Sequence, residues 1–525
     1  MNICAIIVGD SENSTRTMAS LSGFDNLTAF PCRDLAQIDF KSIDSEYIFF
    51  IKNGDALSDY AKQCLLFNLA LKDSDILYSD EAIIDNNNKK FNFYKPDYSP
   101  ELILSMNYFR NLLCIKTSLL KEIKTIDSVC YENFLYELVL KILPKCKTIT
   151  HIDEVLYHGY SPKNKVSYED FYTDFDQVAG RKLLENYCQD NAIEVQVLDA
   201  RYHGTYRLKY VIQGEPLISI VIPFKDMPEL LDACITSILE KSTYKNFEII
   251  GIDNGSKKET TLKLMQALKQ KDLRVQFHSL DIPFNYSVLN NEAVNQFAKG
   301  EHIIFLNNDT EVIKPEWIEA MLEHSQRPQV GVVGAKLLYP DHSIQHCGMI
   351  LGGLVLHAHR QLPDNQPGYF YFPHVVRNYH AVTFACTMMK TALFKEVGGL
   401  NETLKIACND VDICARVSEL GYYNVYTPYA VLYHYESKSR GMDDTPEKIM
   451  LADWERDIAA KCTPALFLRD SFYNKHLTRY DDDFSEGIRE DIKGFALLFF
   501  QRLRRRYREL GFSGVGALIV KRLRK

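Results

Sequence analysis

No run of apolar residues in this chain approaches the roughly 20 that a membrane-spanning helix needs. Nor is there a Cys-x-x-Cys pair. The 13 cysteines stand singly, which argues for reduced, buried thiols rather than a disulfide frame or a zinc site. The first residues, Met1-Asn2-Ile3-Cys4, carry no basic segment leading into a long apolar core, so no secretory leader is expected. A basic excess is missing as well. The net charge is −8, whereas a general nucleic-acid binder needs a basic face to neutralise phosphates. These absences predict a protein on the cytosolic side that binds no nucleic acid. What remains is globular: 525 residues, 46% hydrophobic, 12% aromatic and 25% charged, too long for one core, so two or three domains are expected.

Leu217-Ile-Ser-Ile-Val-Ile222 is a short β-branched run closed by Pro223, the pattern of a buried parallel strand ending in a loop. Leu230, Leu231, Ile235, Ile238 and Leu239 follow at helical spacing. Phe247 to Asp253 reads as a second strand, with the turn residues Asn254-Gly255-Ser256 after it. A helix is predicted over about Lys258 to Gln270, and His302 to Leu306 is another strand, ending at Asn307-Asn308-Asp309. Alternating strands and helices predict an α/β protein with a parallel sheet and ligands at the carboxyl ends of its strands.

Residues 1 to about 200 repeat this plan in shortened form. Cys4 to Val8 echoes the first strand, and Tyr47 to Ile51, followed by Lys52-Asn53-Gly54-Asp55, echoes the third. Val155-Leu156-Tyr157-His158 repeats Val431-Leu432-Tyr433-His434 letter for letter. Three echoes in one order predict a tandem duplication, jointed in the charged stretch from Asp199 to Gly214. Without gaps, Phe134 falls on Asp410, since each lies 24 positions before its histidine, and Tyr136 falls on Asp412. Asp10 to Asp55 spans 45 positions against 83 from Asp226 to Asp309.

At the other end, Ile488, Ile492, Phe495, Phe499, Leu503, Tyr507 and Leu510 fall on one helical stripe, with five arginines crowded between 502 and 508. This composition suits an interfacial helix on an anionic membrane, where each basic residue gains ~1 kcal/mol. A solvated basic helix packed on the body of the protein is the plainer alternative.

Residues 217 to about 445 resemble a family 2 inverting glycosyltransferase of the GT-A fold, of the bacterial O-antigen or capsule, rhamnosyltransferase-like, type. The segments that carry the resemblance are Ser219 to Asp226, Ile252 to Ser256, Phe305 to Glu311, Val397 to Glu402, Asn409 to Asp412, Tyr433 to Ser437 and Ser439-Arg440-Gly441. It implies a GT-A nucleotide-diphospho-sugar transferase fold, a Rossmann-like mixed sheet in tandem: one degenerate copy, one intact copy and a helical tail. The expected domains are 1–200, degenerate and non-catalytic; 201–216, a linker; 217–445, catalytic; 446–485, a helical extension; and 486–525, a membrane-associating tail.

The resemblance also implies roles. Asp309 would hold a divalent cation, Mn2+ or Mg2+, against the charge of a leaving nucleoside diphosphate, although an Asx turn after a strand would use the same residue. The family pattern is Asp-x-Asp, and Asn307 replaces its first aspartate. His434 would complete the metal site or touch the pyrophosphate. Asp410 would be the base that takes the acceptor proton, unless it only stabilises a helix N-terminus; Asp412 fits a structural role better. Donor binding falls to Pro223, Asp226, Asp253, Asn307, Asn308 and Arg440, with UDP- or dTDP-sugars favoured. Pro367 to Phe372 would stack on an acceptor sugar or pack a loop.

The expected activity is transfer of a sugar to a growing glycan, lipid-linked, on the inner face of the plasma membrane, with the basic tail on anionic lipid. Dimerisation, packing or acceptor holding are the roles open to the first copy. A non-catalytic glycan- or nucleotide-binding subunit and a transferase with two live sites are the alternatives. A nucleotidyltransferase would need a basic, Gly-rich phosphate loop, which Pro223-Phe224-Lys225-Asp226 is not.

Overall fold

A computed structural model describes residues 2–9, 14–352, 354–435, 446–479 and 481–487. Arg440 and the basic segment from 488 onward lie outside them. The chain divides into two compact units. The first is Met1–Gln213 together with Pro367–Asn378 and Ser471–Asn474; the second is Gly214–Gln366, Tyr379–Asp470 and the chain from Lys475.

In the first unit, β1 (Ile3–Val8) is buried at every position and lies parallel between β2 (Asn26–Phe30) and β3 (Tyr47–Lys52). β4 (Ala56–Leu57), β5 (Ile76–Ile84), β6 (Lys90–Phe93), β7 (Cys114–Lys116) and β8 (Ile149–Tyr160) complete a sheet of order β2-β1-β3-β7-β5-β8-β4, with β6 on β5. β9 (Val195–Asp199) and β10 (Tyr206–Tyr210) form an antiparallel hairpin, so the segment 201–216, expected as a linker, holds a strand. The aromatic segment after Pro367 packs into this unit: Phe370 stacks on Phe93 at 3.5 Å and Tyr371 on Tyr202 at 4.6 Å. All four rings from Tyr369 to Phe372 are buried, which answers the choice between sugar stacking and loop packing in favour of packing.

The second unit begins with β11 (Ile218–Phe224), β12 (Phe247–Asp253), β13 (Val275–Ser279) and β14 (His302–Leu306). Every residue of β11, β12 and β14 is buried, because a parallel strand covered on both faces needs an unbroken apolar run. β15 (Thr310–Val312), β16 (Val330–Leu338), β17 (Ile344–His346), β18 (Met349–Ile350), β19 (Leu356–His357), β20 (Arg377–Tyr379, which straddles the boundary between the units), β21 (Cys386–Lys390) and β22 (Tyr423–His434) follow. The main sheet runs β13-β12-β11-β14-β21-β16-β22-β15.

The two sheets correspond strand for strand. β11 lies parallel between β12 and β14 as β1 does between β2 and β3. β21 is antiparallel to β14 and β16, as β7 is to β3 and β5. β22 is parallel to β16, and β15 returns antiparallel on β22, just as β8 and β4 do in the first unit. Register agrees too: Ala56 faces His158, and Thr310 faces His434. Asp55 and Asp309 thus each precede the residue that faces a histidine. The second sheet alone carries a further parallel edge strand, β13, delivered by the helix Glu259–Lys271.

One expected equivalence shifts. The helices that precede β8 and β22 are Tyr131–Ile142 and Asn409–Glu419, capped by Cys130 and Cys408. Their second residues are Glu132 and Asp410, so Glu132, not Phe134, takes the place of Asp410. The connection to the histidine is longer in the first unit, 27 positions from Tyr131 to His158 against 25 from Asn409 to His434, and ungapped counting hides this. Phe134 is fully buried, edge-on to Phe50 at 5.2 Å. Beyond β22 the described chain is helical over Pro446–Cys462 and Pro464–Leu468, so the extension expected over 446–485 is helical only in its first part. Among the described residues no helix is long and apolar enough to cross a membrane.

Candidate active site

The carboxyl ends of β11, β12 and β14 open on one cleft of about 780 Å³ in the second unit. Of the residues singled out in the sequence, Pro223, Asp226, Asn307, Asn308, Asp309, Asp410 and His434 line it. Asp253 does not appear in its lining, and Arg440 lies outside the described residues.

Asp309 and His434 meet because β15 starts at Thr310 and pairs with the last residue of β22. His434 Nε2 stands 3.3 Å from Asp309 Oδ1 and 3.4 Å from Asn307 Nδ2. Both side chains are buried, and the other ring nitrogen of His434, Nδ1, has no hydrogen-bond partner. A carboxylate beside the start of β15 and the imidazole nitrogen that faces it from the end of β22 are donors that fit a divalent cation, whose remaining positions would go to phosphate oxygens and water. Among the described residues no group of three or more His, Cys, Asp or Glu could hold a metal unaided.

Asp410 sits at the second position of its helix, after Cys408 turns the chain through a left-handed φ of 59°. Its Oδ1 accepts from the Val411 N–H at 2.9 Å. Burial pushes the carboxyl up to about 6, against hydrogen bonds from the Val411 and Phe384 backbone and the Thr383 side chain. Such a group is ionised at neutral pH yet holds a proton more readily than an exposed aspartate, which is what a general base requires. Tyr286 stands beside it, its hydroxyl donating to Phe384 O at 3.0 Å. Asp412 faces away: its carboxylate takes Nε and Nη2 of Arg416 at 2.9 and 2.7 Å, and Arg416 in turn donates to Val397 O and Gly399 O.

The two remaining aspartates shape the rim. Asp226 and Met227 both have positive φ, and Pro228 then starts the next helix, a position proline suits. Asp226 Oδ1 accepts from Lys258 N at 2.9 Å and Lys257 N at 3.0 Å, and those bonds hold its carboxyl below the usual range. Asp253 is buried and accepts from Ser256 N at 2.8 Å, closing the turn that carries its neighbour Asn254 into the cleft.

Asn254 is a residue that sequence reasoning passed over. Its Nδ2 donates to Leu280 O and Ile282 O at 2.9 and 2.8 Å, so Oδ1 is left buried, without a partner, on the cleft wall. Asn409 Nδ2 is in the same state on the same wall. Buried polar atoms are normally satisfied, so an unsatisfied acceptor and donor lining one cleft call for a polar ligand. Both asparagines lay inside quoted motifs. Tyr286, Thr383 and Phe384 had no motif to flag them.

In the first unit the corresponding place is filled. Asp55 Oδ2 accepts from the Tyr157 hydroxyl at 2.6 Å and Oδ1 from Tyr160 N at 3.1 Å. Tyr131 is buried close by, where Asn409 stands in the second unit. Glu132 is half-buried opposite Arg110, 3.6 Å from its Nη1.

Residues 219–398 match the model of Glycosyl transferase family 2. The chain is 37% identical over 419 residues to an uncharacterized protein, y4gI, of Sinorhizobium fredii, covering 78% of this chain and 46% of that protein. It is 32% identical over 446 residues to the O-antigen biosynthesis protein RfbC of Myxococcus xanthus, covering 84% of this chain and 34% of that protein. The chain therefore spans less than half the length of either relative. Among solved structures, GalNAc-T7 with UDP, GalNAc and Mn2+ aligns with a TM-score of 0.39 and 14% identity over 53% of this chain and 59% of that one. The family match and the mixed sheet, whose strand ends open on the cleft, identify the fold as GT-A.

Proposed function

We propose that the second unit transfers a sugar, with inversion and divalent-metal assistance, from a UDP- or dTDP-sugar to a hydroxyl of a growing, lipid-linked bacterial surface glycan. The observation that carries this reading is the placement of Asp410, with its carboxyl pushed up to about 6, in the same cleft as the Asp309–His434 pair. A mere binding module has no use for a base next to a cation site.

In this reading Asp410 takes the proton of the acceptor hydroxyl as that oxygen bonds to the anomeric carbon. The bond from the anomeric carbon to the phosphate oxygen breaks, and the nucleoside diphosphate leaves with the electron pair. Asp309 and His434 would hold a Mn2+ or Mg2+ ion, which when bound offsets the charge of the departing diphosphate. Asn254 and Asn409 would bond polar atoms of the donor, and Asp226, by tying down Lys257 and Lys258, would shape the mouth through which the nucleoside enters. Arg440 and the basic segment 486–525 are assigned to pyrophosphate and to anionic lipid by their sequence alone. The O-antigen role of the Myxococcus relative supports a surface-glycan acceptor.

The first unit is proposed to be non-catalytic, because protein groups already occupy both oxygens of Asp55. Glu132, at the position of Asp410, is the one observation that favours a second live site, and Asp55→Ala tests it below. The direct test of the main reading follows nucleotide release by NMR over a panel of UDP- and dTDP-sugars with Mn2+, for wild type and Asp410→Asn. Release from one donor, lost in the variant, supports a transferase and names the sugar. Donor binding without turnover, unchanged in the variant and with candidate acceptors present, supports a binding module instead.

A further inference from the structure

The helix Pro446–Cys462 carries Asp453-Trp454-Glu455-Arg456 at its middle. Glu455 is completely buried, a costly place for a carboxylate unless it is hydrogen-bonded. Its partners are three consecutive main-chain N–H groups. Lys405 N donates to Oε1 at 2.8 Å, and Ile406 N and Ala407 N donate to Oε2 at 3.1 and 2.5 Å.

Those three amides belong to the loop that delivers the base. From its other side the same loop is held by the start of the helix Tyr286–Gln296. Asn285 Nδ2 donates to Glu402 O at 2.9 Å, Ser287 Oγ to Leu404 O at 2.6 Å and Tyr286 N to Lys405 O at 2.9 Å. The chain then passes the left-handed Cys408 into Asn409 and Asp410. A non-glycine residue at positive φ persists only where its surroundings over-determine it, and here the restraint comes directly before it.

We propose that Glu455 is a positioning residue for the transfer reaction: its carboxylate locks the loop 405–407 and so sets where the carboxylate of Asp410 meets the acceptor. This rests on the transferase reading above. An ionised carboxylate is acceptor-only, and so can serve all three donors, whereas an amide turns an NH2 group toward at least one of them. Glu455→Gln therefore loosens the loop at little change in volume. A displacement on the order of 1 Å at the reacting centre costs about 100-fold in rate.

The test uses the full-length protein and the donor identified in the panel. Glu455→Gln is expected to lower kcat about 10- to 100-fold, to leave the donor KM essentially unchanged, and to speed amide exchange at 405–407. Glu455→Asp, which keeps the charge on a shorter stem, should recover part of the loss. Because the residue acts through Asp410, adding Glu455→Gln to Asp410→Asn should cause no further fall, the signature of coupled sites. The proposal is overturned if the two substitutions multiply, if exchange at 405–407 is unchanged, or if both Glu455 variants keep wild-type kcat. Should neither variant fold, exchange at 405–407 in wild type no slower than in the exposed rim loops overturns it as well. A wild type that releases nucleotide from no donor instead overturns the transferase reading on which it stands.

Discussion

Replacing Asp410 by asparagine should make the protein inactive and more stable at once. In the folded state burial pushes this carboxyl up to about 6, against 3.8 for the unperturbed group. Above pH 6 the folded protein keeps an ionised group that it holds less well than the unfolded chain does. A difference of about two units is on the order of 3 kcal/mol, an upper figure because the site opens on solvent. Between the two values the folded state binds the proton and the unfolded chain does not, so stability falls as pH rises. Below 3.8 both states are protonated and the penalty is gone. Asp410→Asn should therefore gain about 1–3 kcal/mol at pH 7.5 in urea or thermal unfolding, with the gain vanishing near pH 3.5. Wild-type transfer should follow the same titration, rising about tenfold from pH 5 to a plateau above pH 7. Two results refute the reasoning: a variant less stable than wild type at every pH, or a wild-type rate flat from pH 5 to 8.

The remaining expectations are shorter. Asp309→Ala should lower kcat by about 10³-fold or more, as loss of metal assistance worth several kcal/mol implies. Asp55→Ala should leave kcat unchanged while costing about 1–3 kcal/mol of stability, because the buried Tyr157 hydroxyl loses its acceptor; equal kinetic losses at the two sites would contradict a non-catalytic first unit. Mn2+ at 100-fold excess over its dissociation constant should raise the unfolding free energy of wild type by about 2.7 kcal/mol, and His434→Ala should remove that rise in the absence of any nucleotide. Asp412→Ala should cost about 2–3 kcal/mol by leaving Arg416 without its carboxylate, with activity falling only as far as the folded fraction does.

Which parts were legible in the sequence follows from the range of the forces involved. Continuous apolar runs announced β11, β12 and β14 because a strand buried on both faces admits nothing else. Those three runs are followed by Pro223, Asn254 and Asn307, so the cleft at the strand ends could be located from the sequence alone. The start of the helix bearing Asp410 was not legible, since the capping turn at Cys408 depends on φ rather than on hydropathy. The role of Asn254 was invisible for a different reason. Its function depends on Leu280 and Ile282 taking its amide protons and leaving its oxygen idle, and that accounting exists only in three dimensions. Glu455 lies 45 residues beyond Asp410 along the chain, and nothing in its local composition points back to the loop it grips. The tail from 488 remains a reading of composition.

The two sheets also place corresponding residues in different surroundings. Each unit has an aspartate before the residue that faces the histidine of Tyr-His, and each has an acidic residue second in the helix that precedes that strand. The difference lies in what stands around them. In the second unit Tyr433 is turned outward, its hydroxyl 3.1 Å from His342 Nδ1, and the helix opens with the small Asn409. In the first unit Tyr157 is completely buried with its hydroxyl on Asp55, and the helix opens with Tyr131. The register of β8 on β5 is shifted twice between Ser79 and Glu81, whereas β22 on β16 shifts between Val330 and Val333 and between Ala335 and Lys336. Reopening the first site would therefore take more than restoring a carboxylate. Glu132 already supplies one, and Tyr131 and Tyr157 would have to leave before a nucleotide could use it.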